Sequence, residues 1–118
     1  MENLIEKYKD KLPESYLDFI SKNKKFEGDL GEGCGYGVIW DLKELYDSWE
    51  GYRFDEFLSK RWFPVGSNLG GEIIAIDTTS PNKELFYIPF ITMADKDAEP
   101  YCESFAVLYD VIKQYLLK

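Results

Sequence analysis

Leu4, Ile5 and Tyr8, then Leu12, Tyr16, Phe19 and Ile20, recur at the interval that places side chains on one face of an α-helix. Pro13 suits the first turn of the second run, where its missing N–H would have no partner. The spacing therefore predicts two helices at the start of the chain. In FEGDLGEGCGYG, residues 26–37, glycines are scattered among other residues, and the stretch reads as a loop leading into an extended Val38, Ile39 and Trp40. Asp41 with Glu44 three residues on predicts a capped helix. Its apolar stripe is Leu42, Leu45, Tyr46 and Trp49, which turns Glu44, Asp47 and Glu50 to solvent.

A short helical turn is expected at Asp55 to Ser59, followed by a strand, WFPVGS. In EIIAID the apolar residues Ile73 to Ile76 run without alternation, as in a strand covered on both faces. ELFYIPF follows the turn signal SPNK and reads as a further strand, ADKDAEP as an acidic loop. Phe105, Leu108, Tyr109, Ile112, Tyr115 and Leu116 mark one face of a closing helix. The predicted order is helix, helix, strand, helix, three strands, helix. It implies an α+β fold in a single domain, residues 1–118: a small, mainly antiparallel sheet with N-terminal helices, a middle helix and a C-terminal helix packed on it.

Charge changes the picture only once it is placed along the chain. Of 22 acidic and 14 basic residues, nine acids but two bases fall within residues 26–56. A single negative patch is expected from Glu27, Asp29, Glu32, Asp41, Glu44, Asp47, Glu50, Asp55 and Glu56, with Glu72 as a further contributor. Such a surface repels nucleic acid and anionic lipid and attracts a basic partner. The start MENLIEKYKD has no signal-peptide pattern, and no apolar run approaches the ~20 residues of a spanning helix. Cys34 and Cys102 are expected as free thiols in a reducing cytoplasm.

Most site chemistries lack their actors. Gly70-Gly71 is followed by Glu72 rather than the Lys-Ser/Thr of a phosphate-binding loop, and GEGCGYG lacks the dinucleotide-loop spacing. Gly70 and Gly71 read instead as a turn needing positive φ. Asp77-Thr78-Thr79 lacks the glycine and the second aspartate of an aspartic protease and reads as a strand-end turn. The chain contains no histidine, which removes imidazole bases and the commonest zinc ligand. No metal or cofactor is expected: GDLGE and ADKDAE have oxygen ligands without the order of a calcium loop. A two-carboxylate glycoside hydrolase stays open, because acids such as Glu27, Glu32, Glu44 and Glu72 and aromatics are abundant, but no spacing singles out a pair. Trp49 belongs to a core stripe, whereas Trp40 and Trp62 fit either a core or an interface.

LPESYLDFI, FPVGSNLGGEIIAID and ESFAVL, in that order, resemble the SUKH superfamily. Leu12-Pro13, Tyr16 and Phe19 look like its opening helix. Phe63-Pro64, Gly66, Gly70-Gly71-Glu72 and Asp77 look like its central strand-turn-strand, and Ser104-Phe105 with Leu108 like its closing helix. The sequence departs from that pattern at Asn23-Lys24-Lys25, where the family commonly has Asn-Gly, and matches only loosely over residues 26–56. The resemblance implies a non-enzymatic binding module. Its bacterial form is most often an immunity protein that neutralises a cognate toxin, frequently a nuclease. A regulatory adaptor of the cell-wall-regulator type is the alternative.

Overall fold

The computed structural model describes residues 4–31 and 35–116. Strands β1 (Phe26–Asp29), β2 (Tyr36–Ile39), β3 (Trp62–Ser67), β4 (Glu72–Asp77), β5 (Leu85–Pro89) and β6 (Glu99–Cys102) pair in chain order. Every pairing is antiparallel, so the sheet is a curled six-stranded meander. The helices are α1 (Leu4–Tyr8), α2 (Glu14–Ser21), α3 (Leu42–Gly51), α4 (Phe54–Phe57) and α5 (Phe105–Leu116). The α+β expectation holds, with β3 and β4 at the centre and Ile73 to Ile76 fully buried, as their unbroken apolar run requires.

Two strands were not expected. Phe26–Asp29 reads as loop but forms β1, and Glu99–Cys102, within or beside the expected acidic loop, forms β6. These are the two edges of the sheet. Edge strands tolerate glycine, acids and proline because one side of their backbone ladder faces no strand, and β6 carries Pro100. The turn ahead of β4 also differs from expectation: positive φ falls on Leu69 (62°) and Gly71 (97°), not on Gly70. Asn23 ends α2 at φ 52°, and its Oδ1 accepts from Leu42 N at 3.1 Å, tying that turn to the start of α3.

Helix packing converges on one strand side chain. The Phe63 ring lies 5.1 Å from Tyr8 of α1, 5.7 Å from Tyr16 of α2 and 5.0 Å from Trp49 of α3, centroid to centroid. Phe105 of α5 joins through Tyr16 at 5.2 Å and Phe19 at 5.6 Å. Trp40 and Trp62 are both core residues, and the Trp62 indole donates to Asp95 at 2.8 Å. Tyr109 of α5 extends the cluster, its ring 6.0 Å from Phe19, and donates its hydroxyl to Asp18 of α2.

Asp77 forms the strand-end turn expected of it and is buried, only 3% exposed. Its Oδ2 accepts from Arg61 at 2.8 Å, while Oδ1 accepts from the Thr79 amide at 3.0 Å and hydroxyl at 2.7 Å. The Arg61 guanidinium in turn lies 4.4 Å over the Trp62 ring. Burial alone would raise the Asp77 pKa, but these donors outweigh it and lower it to about 2. A pKa depressed in the folded state means stability present above the unfolded pKa and lost as pH falls through the folded one.

Two predictions follow from this packing. Acid titration should remove about 2 kcal/mol of stability between about pH 4 and pH 2 through Asp77; Asp77→Asn should lose a similar amount at pH 7 and flatten that acid limb in urea melts. The second concerns close approach: a Cβ on Gly66 would lie 2.0 Å from the Val38 carbonyl oxygen, whereas Gly51 has nothing within 4 Å. Gly66→Ala should therefore cost about 3 kcal/mol or more, and Gly51→Ala should be neutral or stabilising by up to about 1 kcal/mol, measured by denaturation.

Candidate partner-binding surface

The acidic segment starts on a sheet edge and ends on two helices. In β1, Phe26 is buried while Glu27 and Asp29, at alternate positions, are exposed; Glu27 accepts from the Tyr36 hydroxyl at 2.8 Å. Glu32 lies outside the described residues. Asp41 caps α3 by accepting from Glu44 N at 2.9 Å, as its position predicts. Glu44 does not point freely to solvent: it is half-buried and paired with Lys25 at 3.2 Å. Asp47 and Glu50 are exposed on α3, with Asp47 bound by Lys43 at 2.6 Å.

The chain turns at Arg53, held in the left-handed region at φ 58°, and starts α4. That turn brings Glu50, Asp55 and Glu56 to one cleft of about 540 Å³, whose other lining residues are Leu4, Lys7, Trp49 and Arg53. Asp55 accepts from the Trp49 indole at 3.0 Å, and Glu56 pairs with Arg53. Glu72 sits apart, three strands from β1 in the sheet order. Its carboxylate accepts from Asn68 at 3.0 Å within the hairpin joining β3 to β4.

The segment is thus neutralised only in part. Lys25, Lys43 and Arg53 take up Glu44, Asp47 and Glu56, while Glu27, Asp29, Asp41, Glu50 and Asp55 carry no salt bridge among the described residues. Exposed pairs of this kind each contribute about 0 to 1 kcal/mol and fade with salt. Leu4 and Lys7 enter the cleft from a helix far away in the chain, so no local sequence pattern marks them. Arg53 shows no sequence signal either, because its role comes from a backbone conformation that glycine or asparagine usually supplies.

Asp95, in the loop weighed for calcium, is engaged by the Trp62 indole. Among the described residues no three His, Cys, Asp or Glu side chains come together to hold a metal ion. Cys102 is a half-buried free thiol, and Cys34 lies outside the described residues. Among the same residues no helix is long and apolar enough to cross a membrane.

Comparison with curated proteins gives no match. The family model for SMI1 / KNR4 (SUKH-1), by contrast, matches residues 2–110, which spans all six strands and the first half of α5. Proteins of this kind are generally non-catalytic, and immunity or regulator-like protein-binding roles fit the domain. The match covers nearly the whole chain and agrees with the helix-covered antiparallel sheet, so the chain belongs to the SMI1/KNR4 family (SUKH-1).

Proposed function

We propose that the chain is a cytoplasmic immunity-type protein that neutralises a cognate toxin by docking its acidic segment onto a basic toxin surface. The observation that carries the reading is the concentration of negative charge in residues 26–56, with Glu27, Asp29, Glu50 and Asp55 exposed and free of salt bridges among the described residues. A nuclease toxin is the fitting class, because an enzyme that grips phosphates presents lysines and arginines that an acidic protein can cover. The complementary fields also speed the encounter, which suits an inhibitor that must act before its toxin does.

Hydrolysis of glycosides has less support. It needs two carboxylates, one as acid and one as base or nucleophile. In the cleft Asp55 is tied to Trp49 and Glu56 to Arg53, which leaves Glu50 alone without a partner among the described residues.

The test is to find whether a toxin with a basic C-terminal domain is encoded beside this chain and, where one is, to reconstitute the chain with that domain. Co-expression should restore growth that the toxin domain alone abolishes. The combined variant Glu27→Lys, Asp29→Lys, Glu50→Lys should weaken binding at least about tenfold at low salt and flatten its salt dependence, read by surface plasmon resonance, with the melting temperature little changed. Unchanged affinity would remove the acidic segment from the interface.

A further inference from the structure

Beside the acidic cleft, the corner between α3 and α4 exposes apolar surface that neither the core nor the charge pattern accounts for. Tyr52, at the end of α3, is 47% exposed and Phe57 of α4 is 56% exposed. Ile91, just past β5, is 94% exposed. Neighbours hold the two aromatic rings in place. The Tyr52 ring sits 4.5 Å from Phe90 and 5.7 Å from Phe54, centroid to centroid. Phe54 lies 5.6 Å from Trp49, so an unbroken run of rings leads from the core out to this corner. The Arg53 guanidinium covers Phe57 at 5.2 Å and reaches Glu56, fixing the turn on its outer side. The Phe90 amide donates to Gly71 O at 3.0 Å, which anchors the base of the loop bearing Ile91.

Such an arrangement has the anatomy of an interface centre: rigid aromatic groups with a polar, charged rim. The rim is negative in excess, since Glu50, Asp55 and Glu56 stand within a few residues of Tyr52 and Phe57, while the bases beside them are Lys7 in the cleft and Arg53, which is paired with Glu56. That charge selects the occupant. A second copy of this chain, itself at net charge −8, would bring like charge onto like. Anionic lipid is repelled in the same way.

We infer that the α3–α4 corner, Tyr52, Phe57 and Ile91 with their acidic rim, is the anchor of the partner interface and receives an apolar side chain flanked by lysines or arginines on a basic protein. The inference rests on the reading of the chain as a binder of basic proteins. It adds that charge steers the partner to the segment, while the apolar corner holds it.

Two probes separate the parts: oligolysine, and a peptide of about twelve residues alternating lysine with leucine, each titrated into the isotopically labelled chain and followed by amide NMR shifts. Oligolysine should move the amides of the acidic segment and lose its effect in salt. The lysine–leucine peptide should in addition move Tyr52, Phe57 and Ile91, and bind more tightly and with less sensitivity to salt. Ile91→Ser and Phe57→Ser should weaken the lysine–leucine peptide roughly tenfold together and leave oligolysine unaffected. Both side chains are mostly in solvent, and an unchanged melting temperature would verify that the fold is intact. If oligolysine binds the acidic segment but the leucine-bearing peptide gains nothing at the corner, the anchor is wrong and the charge reading stands. If neither peptide moves the acidic amides, both fall. Shifts at Tyr52, Phe57 and Ile91 on concentrating the chain alone would make the corner a self-association surface and overturn the inference.

Discussion

The packing of Phe63 against Tyr8, Tyr16 and Trp49 is the contact on which the rest of the molecule depends. One ring on a central strand meets three helices drawn from distant parts of the chain. Edge-to-face and tilted contacts between aromatic rings add to simple burial and favour particular angles. They therefore fix how α1, α2 and α3 lie on the sheet as well as whether they lie there. The acidic cleft is a consequence of this arrangement. Trp49 is at once a neighbour of Phe63 and a wall of the cleft, and Leu4 and Lys7 reach the cleft only because Tyr8 holds α1 against the same ring.

Sequence patterns exposed the parts of the fold in which one physical demand dominates. Ile73 to Ile76 announce a buried central strand because water is excluded from both faces. Asp41 announces a helix start because the first amides need an acceptor. The edge strands stayed hidden for the converse reason. β1 and β6 each set few apolar groups, buried Phe26 in one and half-buried Tyr101 and Cys102 in the other, among glycine, acid or proline, and their pairing is set by β2 and β5 rather than by their own composition. Left-handed turns at Arg53 and Leu69 were illegible too, since those residue types do not favour such φ values and adopt them under tertiary constraint.

For the candidate site, composition revealed where the charge lies along the chain but not what each carboxylate does in space. Asp41 serves the helix terminus, Asp55 an indole, Glu72 a hairpin, and Glu44 a lysine from the turn between α2 and β1. A formal excess of seven negative charges is thus not seven equivalent docking groups. Several acids hold the local structure that carries the others, so the segment's folding and its field share the same residues. The missed cleft partners, Leu4 and Lys7, became visible only through tertiary packing.

This double use explains why the apolar corner stands where it does. Arg53 in a left-handed conformation costs on the order of 1 kcal/mol, a strain that the surrounding contacts must offset. Its guanidinium meets Phe57 and Glu56, and its turn sends Asp55 back to the Trp49 indole. The strained residue therefore joins an aromatic face to an acidic rim across a few residues, and the Phe63 cluster fixes the helix on which both are mounted. A glycine at position 53 would relieve the backbone but lose both side-chain contacts. Arginine stands where glycine would be conformationally easier, and its contacts with Phe57 and Glu56 offset part of that strain.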